Sequence, residues 1–324
     1  MPDRIHLSVA AARELSERAL AGLGYDAEEA RIIADHVVDA ALCGYEYSGL
    51  AKILNIPEHR RFREPRRPMT LVRDSAVSAL YDGGNNVGML VMYHAARAAI
   101  AKAAGHGFAV VGVTNSWMSG RSAYYVEMIA KADLVALHTA AASPAVAPPD
   151  GLRPALGTNP IAFGIPSLRG ALVFDMGTSA FMMTDLALRE RMGRPLPEGV
   201  AIDAVGRPTR DPAAARQGAI LPFGGYKGFG LAFVVAALGQ LAGSGLEDDG
   251  YLFVVFKPDL LLPLEQYKRA VGNLVDRIKG TPRLSGVDEI RLPGERAFRC
   301  RERLSVEGIE IDRLVYDRLR ALCG

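Results

Sequence analysis

"LPFGGYKGFGLAF", residues 221–233, is the most informative stretch of the chain. Gly224, Gly225, Gly228 and Gly230 bracket a single Lys227 just before an apolar helical run. Small residues let a phosphate approach the backbone, a helix N-terminus offers N–H donors, and lysine adds positive charge. The stretch is not a Walker loop, because the GxxxxGK[ST] spacing is absent. It is not a Rossmann fingerprint either, because no strand in a βαβ setting precedes it. Spacing alone leaves two readings open, an anion-binding loop and a tight structural turn.

Beyond this loop, "GFGLAFVVAALGQLAG" (228–243) reads as a buried helix. Upstream, "FAVVGVT" (108–114), "LVALHTA" (134–140), "IAFGIP" (161–166) and "ALVFDMG" (171–177) read as buried strands, as does "YLFVVFKP" (251–258) after the acidic turn "GLEDDG". "GGNNVG" (83–88) reads as a glycine turn feeding a long Ala-rich helix. At the N-terminus, Ser8 caps one helix and Gly24 ends it. Asp26 with Glu29 has capping-box spacing for a second helix, where Ile32, Ile33, His36 and Val37 share an apolar face. Residues 262–280 form an amphipathic helix, and "IEIDRLVYDRLRALCG" ends the chain as a last helix. The class is α/β with helical ends. The expected division is a helical segment, 1–75, packing with 259–324, around a cofactor-binding α/β domain, 76–258.

With 324 residues and 49% hydrophobic content, the chain can bury one large or two ordinary cores. Its 38 Lys and Arg against 36 Asp and Glu give +2, no reason to expect nucleic acid or a membrane as a partner. The basic run "EHRRFREPRR" (58–67) reads as a solvated, proline-broken connector. Cys43, Cys300 and Cys323 have no metal or redox spacing, so no metal is expected, and sparse cysteines fit a reducing cytoplasm. Neither a signal peptide nor a membrane-spanning run is visible.

Four motifs, "GTNP", "DMGTS", "IDAVGRPTRDP" and "PFGGYKGFGL", occur in that order, together with "YDGGNNVG", "TNSWMSG" and "LPGER". The set resembles the type 2 malate/L-lactate dehydrogenase family, which includes sulfolactate and ureidoglycolate dehydrogenases and reductases of cyclic imines such as piperideine-2-carboxylate. The resemblance implies a non-Rossmann NAD(P)-binding fold with a mixed sheet flanked by helices, working as a homodimer. It assigns cofactor binding, NADPH or NADH, to Met118, Ser119, Gly120, Arg121 and Ser122; to Asp175, Met176 and Gly177; to Tyr226 and Lys227; and to Gly294, Glu295 and Arg296. Lys52 and Thr158 fall on substrate-carboxylate positions, and Asp185 on the third member of a catalytic relay. On strand position alone, Asp175 could contact a ribose hydroxyl or cap a helix.

One corner departs from the family. Where its pattern is Gly-x-Asp-Ser-His-Gly-x-x-Arg, this chain has Gly44-Tyr45-Glu46-Tyr47-Ser48-Gly49-Leu50-Ala51-Lys52. The proton-donating histidine is Ser48, the serine that orients it is Tyr47, and the arginine is Lys52. The loop Asn-Ser-x-His-Phe-Gly is here Asn115-Ser116-Trp117-Met118-Ser119-Gly120, with a second histidine lost and the only tryptophan beside it. Ketone reduction needs a proton with the hydride, and a positioned acid contributes roughly 10²–10⁴-fold. A cyclic imine is basic enough to arrive protonated, so loss of the histidine costs an imine reductase less. The expected substrate is a small imino acid carrying a carboxylate. Two alternatives stand beside it: 2-keto or 2-hydroxy acid chemistry with Tyr47 as acid, its pKa lowered by a nearby cation such as Lys52, and a cofactor-binding paralogue without turnover. His138, on an apolar strand, is either a core residue or a replacement acid and substrate contact. Arg153 could add a carboxylate contact, and Arg121 could meet a 2′-phosphate.

Overall fold

The computed structural model describes residues 3–245 and 248–324. Its centre is a seven-stranded mixed sheet whose spatial order is Thr70–Asp74, Ser78–Val87, Phe108–Trp117, Gly250–Phe256, Val135–Ala141, Ile161–Ile165 and Leu172–Met176. Ser78–Val87 and Phe108–Trp117 run parallel, while the remaining neighbours pair antiparallel. The last strand of this sheet in chain order, Gly250–Phe256, is therefore inserted at its middle. Its unbroken apolar run reflects burial on both faces.

Alternation along the strands divides those faces. Tyr251, Phe253, Val255 and Ala140 pack with the helices Gly88–His106 and Ser122–Ala130. Ala141, one residue on, points the other way and meets Gly239 of the helix Tyr226–Gln240, where a methyl would lie 2.4 Å from the Ala141 Cβ. The helix Ser122–Ala130 sits equally close over its face. A methyl on Gly164 would fall 2.1 Å from the Val126 carbonyl oxygen.

Both chain ends join in a second core. Arg4–Leu7 pairs antiparallel with Ile309–Asp312, and the helix Val9–Gly22 packs on Arg313–Leu322. Ser8 caps the first helix, and Asp26 with Glu29 closes the capping box of Ala27–Leu42. Several expectations need correction. Ile309–Asp312 is a strand rather than helix, because its alternating Ile309 and Ile311 bury one face against Arg4–Leu7. Residues 83–87 end a strand instead of forming a turn, since Gly83 lies against the backbone of Thr114 and Asn115. The hairpin Thr70–Asp74 with Ser78–Val87 crosses the expected boundary at 75–76. The amphipathic helix Leu264–Lys279 lies beside the sheet edge, where Leu274, Val275 and Ile278 share an apolar cleft with Phe163 and Phe174. The acidic turn at 245–250 includes residues 246–247, which lie outside the described residues. Among the described residues, no helix is long and apolar enough to cross a membrane.

The basic run is largely exposed, as expected, but it is tied down by specific contacts. Arg66 forms an ion pair with Glu29 at 2.7 Å and lies over the Tyr25 ring, Arg61 bonds Asn115, and the Asn85 amide donates to the carbonyls of Arg61 and Glu64. These contacts bring residues 59–64 to the site. The seating of Ser122–Ala130 gives a test: Gly164→Ala should cost roughly 1–3 kcal/mol, the range for overpacking a core, read by chemical denaturation. An unchanged midpoint would mean that the helix does not sit this close.

Candidate functional site

Residues 118–122 connect the strand Phe108–Trp117 to the helix Ser122–Ala130, and side chains from distant elements hold their backbone. Met118 and Gly120 turn the chain with φ of 58° and 81°. His36, on the apolar face of Ala27–Leu42, accepts the Arg121 N–H on Nε2 at 2.9 Å. The ring proton therefore belongs on Nδ1. Burial, with Arg121 and Lys52 nearby, holds its pKa well below the usual histidine range. Gly120 is needed here because a methyl would lie 2.2 Å from Nε2. Asp249 Oδ2 accepts the Met118 N–H at 3.3 Å, and Asp175 Oδ2 accepts the Ala123 N–H at 2.8 Å. Asp175 is thus a cap on the first turn of Ser122–Ala130, supplied from the end of a strand.

Beside this loop lies a cavity of about 360 Å³ whose wall includes Ser48, Lys52, Met118, Ser119, Thr158 and Asp249. Lys52 is 4% exposed, and burial alone lowers its pKa to about 8. Among the described residues no carboxylate forms an ion pair with it. A buried ammonium without an anion is costly, so the cavity favours an anionic ligand there. Asp249 also accepts from the Tyr251 hydroxyl at 2.8 Å and the Ser143 N–H at 3.0 Å. Burial raises its pKa and these donors oppose the rise. The two charges make a bipolar wall.

Of the residues expected at the chemistry, Ser48, Lys52 and Thr158 share this cavity. Tyr47, in the 3-10 turn Glu46–Ser48, is not on its wall. Burial first, then Tyr45, Asp175 and Asp185, push the Tyr47 phenol up to about 12, and only Arg296 opposes them. That is opposite to the cation-lowered phenol expected from sequence. Asp185 stands in the first turn of Met183–Arg191 with Arg189 at 3.4 Å, and burial raises its pKa. His138 has no exposed surface. It stacks on Phe253 at 4.1 Å with Nδ1 3.1 Å from the Leu252 carbonyl, and burial lowers its pKa to about 4. This is a core position away from the cavity wall. Arg153 is not on that wall either.

The cofactor positions fall into two groups. Arg121 and Arg296 lie over the same Tyr45 ring, at 5.4 and 4.9 Å, which brings the 118–122 loop beside the start of Glu295–Glu307. Asp175, Met176 and Gly177 close the same corner through the Asp175 cap. Arg121 is buried and paired to Asp39 at 2.8 Å, so its guanidinium is already engaged and not turned to a 2′-phosphate. Gly294 turns the chain with φ of 83°, and Glu295 bonds Lys279 and the Leu292 N–H. Tyr226 and Lys227 stand apart. They open the helix Tyr226–Gln240 and are exposed, Tyr226 at 79%. Their loop is anchored by the Phe223 N–H to the Thr178 carbonyl at 2.9 Å. Gly228 is required there, as a methyl would meet the Phe223 oxygen at 2.2 Å.

A nicotinamide cofactor fits this corner on one structural observation. Ser122 Oγ and Arg121 Nε are buried without a hydrogen-bond partner among the described residues, at the loop assigned to it. Sequence reasoning missed His36, His59 and Asp249. His36 carried only an apolar-periodicity signal, His59 sat in the basic run, and Asp249 in an acidic turn.

Known proteins share this architecture. The family model described as malate/L-lactate dehydrogenase matches residues 7–320. The malate/(S)-sulfolactate dehydrogenase of Methanothermus fervidus is 32% identical, covering 96% of this chain and 95% of its own. The Δ1-pyrroline-2-carboxylate reductase of Ancylobacter novellus is 30% identical over 99% and 98%. The crystal structure of a dehydrogenase from Sinorhizobium meliloti superposes with a TM-score of 0.92 at 29% identity, covering 100% of this chain and 99% of that one. A mixed seven-stranded sheet, its last strand inserted at the middle, and a cavity beside residues 118–122 are thus carried by a chain that belongs to the malate/L-lactate dehydrogenase family and is an NAD(P)-dependent oxidoreductase.

Proposed function

We propose that this enzyme reduces the C=N bond of a small cyclic imino acid with NADPH or NADH. One observation carries the reading: the cavity presents a buried, unpaired cation, Lys52, together with a carboxylate, Asp249. A protonated cyclic imino acid is a zwitterion of matching charges. Lys52, with Thr158, holds its carboxylate. Asp249 faces the iminium and favours the protonated form, as an opposite charge does. The similarity to a named Δ1-pyrroline-2-carboxylate reductase supports the same reading.

When bound, the nicotinamide supplies a hydride, and the loop 118–122, with 175–177 and 294–296, is the proposed place for it. Lys227, at an exposed helix N-terminus, is kept as a further cofactor contact. What the residues themselves do is keep the substrate charged and oriented. Ketone reduction would need a proton donor on the same wall. Ser48 is a poor acid, Tyr47 is off the wall with its phenol near 12, and a lysine holding a carboxylate loses that grip when it gives up its proton.

One observation favours a second reading. A lysine with a pKa near 8 is itself a competent acid at neutral pH, which would serve 2-keto acid reduction. Lys52→Arg separates the two, because a guanidinium holds a carboxylate and does not titrate. We also propose a cytoplasmic homodimer. The helix Tyr226–Gln240 is apolar on nearly all sides, yet Phe233 is 62% and Val234 50% exposed, a face suited to a second copy. A monomer by sedimentation at micromolar concentration would contradict the dimer.

The deciding experiment is steady-state turnover with both cofactors on Δ1-pyrroline-2-carboxylate, Δ1-piperideine-2-carboxylate, pyruvate and oxaloacetate. The cyclic imino acids should be consumed at least about 100-fold more efficiently, within the contribution of the acid that 2-keto acids lack here. Lys52→Arg should retain imine turnover. Brisk pyruvate reduction that Lys52→Arg abolishes would establish the second reading instead. Binding of cyclopentanecarboxylate to wild type should weaken above about pH 8. The folded pKa of Lys52 is depressed, so its charge is complete below that value and lost above it. In Lys52→Arg the binding should stay level to pH 10.

A further inference from the structure

His59 lines the same cavity as Lys52 and takes no part in the reading above. Its ring lies flat on the buried Trp117, with centroids 4.4 Å apart and planes 3° from parallel. Trp117 in turn is fixed by its Nε1–H, which donates to the Asn85 carbonyl at 3.1 Å. The Asn85 amide reaches back to the carbonyls of Arg61 and Glu64, each at 3.1 Å, so the tryptophan and residues 59–64 form one braced unit. His59 Nδ1 accepts the Arg61 N–H at 3.3 Å, which leaves the ring proton on Nε2.

We propose that His59 is a substrate-recognition residue whose Nε2–H donates to the substrate carboxylate beside the Lys52 ammonium. This rests on the reading that the cavity takes a carboxylate. The need for such a donor follows from Lys52. An ammonium is a point charge and offers no planar fork, whereas a guanidinium would place two donors on one carboxylate. A neutral imidazole supplies a second, directed donor without adding another buried charge. Burial, with Arg60 and Arg61 near, lowers its pKa to about 4, which keeps the ring neutral and the Nε2 proton in place at neutral pH. This excludes it as an imidazolium acid and suits it to a hydrogen-bond role. The sole tryptophan is then the floor on which His59 lies. Trp117 stands in the loop where this chain departs from the family pattern, beside Met118.

Because Trp117 is the only tryptophan, its emission reports binding next to His59 without any need for turnover. Cyclopentanecarboxylate is titrated into the full chain, free and with oxidised cofactor, with cyclopentanecarboxamide as the uncharged control. The carboxylate should bind saturably to wild type. His59→Phe keeps a ring on Trp117 but has no N–H, and it should weaken carboxylate binding about 10–100-fold, the range for losing a hydrogen bond to a charged group. His59→Gln restores a donor and should recover most of the affinity. Carboxamide binding should change little in either variant. Wild-type affinity in His59→Phe, equal losses for carboxylate and carboxamide, or no carboxylate binding to wild type would each overturn the proposal. Since binding is read directly, a chain that reduces no imine can still show the His59 dependence, and an imine reductase can lack it.

Discussion

The site depends on how the backbone of residues 118–123 is held. Three side chains from three separate elements grip its N–H groups: Asp249 takes Met118, His36 takes Arg121, and Asp175 takes Ala123. A loop with two residues in left-handed φ does not hold such a shape by local preference. His36 and Asp175 satisfy donors at the start of the helix Ser122–Ala130, and Asp249 satisfies one in the loop before it. The three anchors come from the terminal helical core, the sheet edge and the turn that enters the inserted central strand. The loop is therefore where the two cores of the molecule are joined.

This bracing places unlike charges on one small wall. Asp249 is aimed by the donors it accepts, which oppose the upward push that burial gives its pKa. Lys52 has no such support among the described residues and lies buried in the 3-10 turn Leu50–Leu54. An unsupported buried cation is a stability cost that a bound anion relieves. Function and strain thus share a residue, and the wall is completed by what binds to it. The loss of the family's histidine is consistent with this design, because a charged iminium brings its own proton.

Much of the architecture was legible because apolar periodicity and caps are local signals. The five strands, the capping box at Asp26 and the two helices at 226–240 and 264–279 fall close to where the residues place them, but Tyr226–Gln240, expected as a buried helix, leaves Phe233 and Val234 exposed, and Leu172–Met176, expected as a buried strand, leaves Phe174 exposed. What escaped notice depends on distant partners. Arg4–Leu7 is a strand only because Ile309–Asp312 lies beside it. Gly83 belongs to a strand because the neighbouring strand's backbone comes close to it. The motifs pointed to the corner proposed for the cofactor and to the Lys52 position. They could not carry Asp249 or His59, which reach the cavity through chain insertion and through contacts of Asn85 with residues 61 and 64. His138 reads the same as any histidine on an apolar strand, and only its stack on Phe253 places it in the core.

The central claim is that Asp249 and Lys52 together recognise a protonated imino acid. The most direct measurement is kcat/KM of Asp249→Asn relative to wild type for Δ1-pyrroline-2-carboxylate between pH 6 and 9, with cofactor affinity measured in parallel. Removing a charge that favours the iminium by about one pKa unit, roughly 1.4 kcal/mol, should lower kcat/KM about tenfold at the alkaline end and less at pH 6. The comparison is made at saturating cofactor, because Asn keeps one acceptor oxygen where Asp249 uses both to hold the Met118 and Ser143 N–H groups. Equal kcat/KM in the two proteins at every pH would contradict the account.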